Sequence, residues 1–299
     1  MLVNIIRSLA ELPQVDRIAL VINCSTRIFT SLALASLHRV SKVSTLIIDC
    51  ESTDHSVDHF ERIFASKQRE VFICSMPLKP HGKTLDSIFK FMPVPEVLVL
   101  DSDIEILERD ILESMDKALL ADQTAYGSGL LQKGEWMTRP MHQYSSGVAW
   151  YQERMWLPLT LLRSAKVAER LEAGHSFFAT RDHNEVFGWP RLSRLLSHRF
   201  RFWSSRNLGD TPRPKIIEWD TGSKIHDALR INGHRFSAIG DEYWASVHHA
   251  HGVTRSQLSS VFFRAAVSAG FISRSMLTDA NLAEVAAMNR LVEHYPEYV

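Results

Sequence analysis

Hydrophobic and polar positions change period repeatedly along the first third of the chain. Residues 17–24, RIALVINC, are apolar almost throughout, and the STRIFTSLALASLHRV that follows spaces its large residues as a helix behind a Ser or Thr cap. The pair recurs as KVSTLIIDC (42–50) before HSVDHFERIFASK, and as EVFICSM (70–76) before GKTLDSIFKFM. A fourth strand is EVLVLDSD (96–103). Strands apolar on both faces, alternating with helices, predict an α/β domain around a mostly parallel sheet.

After Asp103 the rhythm changes. The pattern predicts a helix over 105–119, then TAYGSGLLQ, a strand within SGVAWYQ and a second helix over 156–172. SKIHDALRINGHRF reads as a helix closed by Gly233 and leading to a strand, and 254–299 as two amphipathic helices. The opening MLVNIIRSLAELPQVDR suits a short amphipathic helix packed on the domain, with peripheral membrane contact as the other use of its apolar face. It has no apolar run long enough for a signal peptide or a membrane span, so the expected location is the cytoplasm. Repeats, low-complexity tracts and linkers are absent from the pattern. The expected organisation is one domain over 1–253 with a helical extension, 254–299, packed on it.

Composition narrows the function classes. Apolar residues make up 45% of the 299, enough for a substantial core. Lysine plus arginine equals aspartate plus glutamate at 34 each, which argues against a protein that binds nucleic acid by neutralising phosphates. The three cysteines, Cys24, Cys50 and Cys74, have no CxxC spacing and read as reduced thiols at strand ends.

The candidate chemistry lies where the strands stop. In an open parallel sheet ligands bind beyond the carboxyl ends of the strands. The first strand ends in Asn23-Cys24-Ser25, the second in Asp49-Cys50-Glu51-Ser52-Thr53-Asp54, the fourth in Asp101-Ser102-Asp103. Two carboxylates two residues apart on a strand face the same way and repel, and a divalent cation removes that repulsion. The competing reading of the pair is helix capping.

VINCSTR, LIIDCESTDHSV, VLVLDSDIEIL, WDTGSKIHDALRINGHRF and VHHAHGVTR, in this order, resemble nucleotide-sugar glycosyltransferases of the A fold, most closely the family 2 type. The resemblance covers about 20–255 and implies a Rossmann-like, mostly parallel central sheet in the catalytic domain. It implies that Asn23 and Asp49 face the base and ribose of a nucleoside diphosphate sugar, with UDP favoured. Asp101 and Ser102 would touch the donor, Asp101 the ribose or a metal-bound water, and Asp103 would bind the metal, Mn²⁺ or Mg²⁺. The metal histidine would come from the His-Gly segment, His251 first and His249 second. Asp220, before the helix that ends Gly233-His234-Arg235, would be the base that takes the proton of an acceptor hydroxyl, with Trp219 beside it as a sugar platform and Asp241 and Glu242 as fallbacks. Burial beside that aromatic would suit such a base. Inversion is favoured, and the acceptor is a saccharide or another hydroxyl compound.

Cys50 and Glu51 depart from the family's D-D-G-S-T-D pattern, in which an acid and a glycine hold these places. Tyr126 to Gly129 is a small-residue stretch that would let a sugar approach the backbone, and Trp136, His142, Tyr144, Ser145 and Ser146 form a loop that could close over substrate. Arg181, Asp182 and His183 read as a structural cluster. Two other function classes stay open on the sequence: a sugar nucleotidyltransferase, and a non-catalytic binding protein on the same fold.

Overall fold

A computed structural model describes residues 3–65, 70–132, 148–150, 154–183, 216–250 and 274–299. Its main sheet has eight strands. β1 (Val3–Ile6), β2 (Arg17–Asn23), β3 (Ser44–Asp49), β4 (Val71–Ser75) and β5 (Glu96–Asp101) are followed by β7 (Ala125–Gln132), β9 (Arg154–Arg163) and β12 (Arg235–Ala238), in the spatial order β1-β4-β3-β2-β5-β9-β7-β12. Every neighbouring pair is parallel except those made by β9, which runs against both β5 and β7. The mostly parallel α/β sheet expected from the pattern is present.

The four predicted strands form because each has apolar side chains for two faces. Along β2, Ala19 and Val21 join one core with Phe29, Leu34 and Phe60, while Ile18 and Leu20 join the other with Leu85, Phe89 and Leu229. The first face is covered by α1 (Arg27–Val40), α2 (Ser56–Ala65) and α4 (Asp110–Ala121), the second by α3 (His81–Phe89), α5 (Ser164–Glu172) and α6 (Ser223–Ile231). A last helix, α7 (Arg274–His294), packs over α1. Covered on both sides, α1 is buried all round, and its polar residues are matched accordingly. His38 reaches Thr45 Oγ1 and the Tyr298 hydroxyl, each at 3.1 Å, which pins the C-terminal 3₁₀ turn Pro296–Tyr298 to the core.

Four expectations are corrected. The opening segment is the edge strand β1 paired with β4, followed by a 3₁₀ turn at Leu9–Glu11; VNII is too short and too β-branched for a helix. The stretch after Asp103 first makes a three-residue strand, β6 (Ile104–Ile106), and the helix starts only at Asp110. Residues 154–163 are the reversed strand β9, not the front of a helix, which begins at Ser164. An apolar run buried on both faces carries no period to separate strand from helix, and Trp156-Leu157-Pro158 favours extension. The stretch Tyr126–Gly129 lies inside β7 and is core: Tyr126 is fully buried against His226, and Ser128 Oγ donates to Met115 O at 2.7 Å. Of the two C-terminal helices expected, one is described, and 251–273 lie outside the described residues. Among the described residues there are two smaller sheets: β10 (Thr180–His183), β11 (Ile216–Trp219) and β8 (Val148–Trp150) in one, β6 with β13 (Val247–His249) in the other. Among the described residues no helix is long and apolar enough to cross a membrane.

Two predictions follow from this packing. A Cβ at Gly127 would lie 2.6 Å from the Leu161 carbonyl oxygen on β9, so Gly127→Ala should cost about 1–3 kcal/mol in urea unfolding. Burial holds His59 and His226 neutral down to about pH 4, far below the ordinary imidazole value. A depressed pKa gives stability that is complete above the unfolded value and lost on acidification. The unfolding midpoint should therefore fall as pH drops from about 6.5 toward 4, and a flat profile there would contradict the assignment.

Candidate functional site

β3 and β4 extend the sheet from one side of β2, and β5 extends it from the other, so the chain reverses its order at β2. A cleft of about 660 Å³ opens beyond the carboxyl ends of these strands, where such reversals place ligands. Ile22 and Cys24 of β2 and its loop, Asp101 and Ser102 at the end of β5, and residues 154–158 of β9 line it. The β5–β9 ladder ends at Leu100 opposite Leu159, so β9 overhangs the rim from Pro158 back to Arg154. Pro158 has no N–H to continue that ladder, and the register with β7 breaks in the same place.

The loops after β2 and β3 are tied to each other. Asn23 Nδ2 donates to Asp49 Oδ1 and to Ser52 Oγ, each at 2.8 Å, and its Oδ1 accepts from Thr26 and Thr30. Asp49 Oδ2 accepts the Ser52 N–H at 3.2 Å. Arg27 N–H and Ser56 N–H donate to Asp54, which thereby caps α2. Asn23 is completely buried and Asp49 nearly so. Their polar atoms shape the loops, and the surface presented to the cleft beside them is Cys24 and Cys50. The three thiols are free, as expected from their spacing, and burial pushes Cys50 up to about 12, with Cys24 beside it adding to the effect. Glu51 sits at φ 53°, the left-handed turn that a glycine would take without strain, so the departure from the D-D-G-S-T-D pattern leaves that turn in place.

Asp101 and Asp103 do not share one face. Asp101 turns into the cleft with 24% of its side chain exposed, and His81 at the start of α3 brings Nε2 to 3.6 Å from its Oδ1. Asp103 is more buried and lies 3.4 Å from His249 Nε2. His249 also lines the cleft, with its ring edge-on to Trp156 at 5.6 Å. The Asp101 carboxyl is raised above the usual range by burial; His81 opposes this, the charge of Asp103 adds to it, and His249 opposes it in turn. Two carboxylates and two imidazoles thus act on one another across the rim. Among the described residues no three His, Cys, Asp or Glu side chains close around a single point, and His251 lies outside the described residues.

Asp220 lies on the far wall, in the turn between β11 and α6. Its Oδ2 is 2.5 Å from Arg154 Nη1 and its Oδ1 accepts the Thr221 N–H at 2.7 Å. With 45% of its side chain exposed it is not a buried acid, contrary to the sequence expectation; Arg154 rather than an aromatic wall fixes it. Gln132 holds the Nε of the same guanidinium. Asp241 and Glu242, the fallbacks, sit exposed on a 3₁₀ turn away from the cleft.

The cleft therefore gathers Asp101, Ser102, His249 and Asp220 from the sequence reading, sets Asp103 behind His249, and turns Asn23 and Asp49 inward. It adds Lys79, His81, Gln132 and Arg154. A signal for His81 existed in KPHG directly after the third strand. Arg154 carried none: the pattern assigns it to no element and reads the rest of its strand, from Trp156, as a helix. Trp136, His142, Tyr144, Ser145 and Ser146 lie outside the described residues, and Arg181, Asp182 and His183 form β10, antiparallel to β11.

No family model matches the sequence, and no curated protein matches it. Among solved structures the chain is similar to the mannosyltransferase PcManGT from Pyrobaculum calidifontis in complex with GDP-Man and Mn²⁺, at 12% identity and TM-score 0.48, over 97% of this chain and 81% of that one. It is similar to S. aureus TarS 1–349 in complex with UDP-GlcNAc, at 14% identity and TM-score 0.38, over 52% of this chain and 47% of that one. It is also similar to 4-diphosphocytidyl-2C-methyl-D-erythritol synthase from Anaerococcus prevotii, at 9% identity and TM-score 0.39, over 72% of this chain and 93% of that one. The chain thus spans under half the length of that TarS chain.

Proposed function

We propose that this protein is a metal-dependent glycosyltransferase that moves a sugar from a nucleoside diphosphate sugar, UDP-sugar first, to a hydroxyl of a saccharide or similar acceptor with inversion. The observation that carries the reading is that Asp101 and His249 line a cleft at the sheet's reversal point, with Asp103 3.4 Å from His249 behind it.

The donor set suits a hard divalent cation. Carboxylate oxygens with one imidazole favour Mn²⁺ over Ca²⁺, and a cation would offset the burial and the neighbouring Asp103 charge that raise the Asp101 carboxyl. Two protein carboxylates and an imidazole do not complete an octahedron. Ions of this class commonly fill the remainder with substrate phosphate oxygens and water, so the site would form together with the donor. Asp103 and His249 would hold the ion and Asp101 would reach it directly or through water. The ion, when bound, neutralises charge that grows on the leaving diphosphate.

The chain's own residues supply the rest. Ile22, Cys24, Cys50 and Leu78 give the donor an apolar bed, with Ser102 as a polar contact. Asp220 faces the same cleft, and each of its carboxylate oxygens keeps a lone pair free of the Arg154 and Thr221 contacts to take the acceptor's proton. Arg154 and the Thr221 N–H fix its rotamer, so little ordering is left for the reaction itself.

Thermal shift with UDP and GDP, each with and without Mn²⁺, tests the donor class. Mn²⁺ plus the right diphosphate at 100 times its Kd should stabilise the fold by about 2.7 kcal/mol, and neither component alone should match it. Asp103→Ala should abolish this shift. Absence of any shift with either diphosphate in well-folded wild type would refute the reading. Asp220→Asn should keep the shift while turnover of the donor falls by about 10²-fold or more; normal turnover in that variant would remove Asp220 from the role of base.

A further inference from the structure

We propose that Arg290, on the C-terminal helix, is a positioning residue for Asp103 and His249, acting through the buried carboxylate of Glu105; this rests on the metal-dependent reading above. Asp103 and His249 come together because β6 and β13 are zipped antiparallel, with Ile104 opposite His249 and Glu105 opposite His248. Ala250 N–H closes the ribbon onto Asp103 O at 3.0 Å. Each strand has three residues and neither joins the main sheet. A two-stranded ribbon of that size does not hold itself in water, so its place is set from outside.

Ile104 and Ile106 seat it in the core, and two neighbouring helices add polar supports. From α1, Ser36 Oγ accepts the Ile106 N–H at 3.0 Å and Arg39 donates to the carbonyls of Ile106 and Leu107. These contacts hold the far end of β6, away from Asp103. From α7, Arg290 donates Nε to Glu105 Oε2 at 2.6 Å and Nη2 to Oε1 at 2.8 Å, a two-point fork on a residue that is 1% exposed. Glu105 is two residues from Asp103 and directly opposite His248, so the fork is the polar support nearest the pair, beside the burial of Ile104 in the core. His248 Nδ1, at 3.9 Å, is too far from Glu105 Oε2 to replace it.

Without the guanidinium, Glu105 would be a buried carboxylate left with the neutral Tyr295 hydroxyl as its partner, and a buried charge without a counter-charge tends to move toward water. Any such movement turns β6 and carries Asp103 away from His249. The consequence is specific: the loss falls on metal affinity, in the way that outer partners of metal ligands act elsewhere.

The test is titration of Mn²⁺ in the presence of UDP, with free Mn²⁺ read by electron paramagnetic resonance, on the full chain. Arg290→Ala should weaken Mn²⁺ by about tenfold or more and Arg290→Lys should recover part of the loss. Gly127→Ala, destabilised at a site remote from the ribbon, should bind Mn²⁺ as wild type does, which separates positioning from a general loss of stability. Glu105→Gln, which keeps the shape but removes the charge held by the fork, should also weaken binding and serves if Arg290→Ala does not fold. Wild-type affinity in either Arg290→Ala or Glu105→Gln overturns the proposal while leaving the metal site standing. No Mn²⁺ uptake by wild type with UDP or GDP overturns the metal-dependent reading itself.

Discussion

Burial of the Asp101 carboxylate, two residues from the carboxylate of Asp103, is the constraint around which the rim is arranged. The chain places both carboxylates within one tripeptide at the end of a central strand, where water is largely excluded. Unrelieved, that arrangement opposes ionisation, and the raised Asp101 carboxyl records it. The fold separates the two by direction: Asp101 turns into the cleft toward His81, and Asp103 turns toward His249. Each carboxylate thereby gains an imidazole from a different element, one from the start of α3 and one from β13.

The reversed strand β9 supplies the opposite wall. Being antiparallel, it enters the sheet from the rim, so the residues before its ladder begins, Arg154 to Pro158, stand above the strand ends instead of below them. A parallel strand in the same slot would have ended at the rim and left the wall open. Arg154 uses this overhang to reach Asp220 in a segment more than sixty residues later in the chain. Tertiary placement of that kind has no local sequence signature.

Legibility of the sequence followed the same division. The four strands ending at Asn23, Asp49, Ser75 and Asp101 were readable because both faces are buried and their apolar runs are long and unbroken. β6, β9 and β1 were not: one is three residues long, one is an apolar run without a period, and one begins near the chain terminus. Of the residues that line the cleft, Asp101, His249 and Asp220 could be picked out in the sequence because carboxylates and imidazoles at element ends are conspicuous. Asn23 and Asp49 were placed at the right strand ends but given the wrong orientation. Residue type alone did not say that Ser52, Thr26 and Thr30 would consume their polar atoms.

The two walls of the cleft share one support, and this joins the fold to the chemistry. Gly82 allows α3 to approach the backbone at 177–178 so closely that a Cβ would meet Phe178 Cα at 2.6 Å. The same Phe177 accepts the Gly222 N–H at 2.8 Å, and Gly222, at φ 84°, opens α6 just after Asp220. His81 and Asp220 are thus set by contacts to two adjacent residues, one through a close approach that only glycine permits and one through a left-handed turn that glycine takes without strain. With Phe177 itself fully buried and stacked on Phe89, the support is part of the core and moves little. The spacing between His81 on one wall of the cleft and Asp220 on the other is therefore a property of the packed interior.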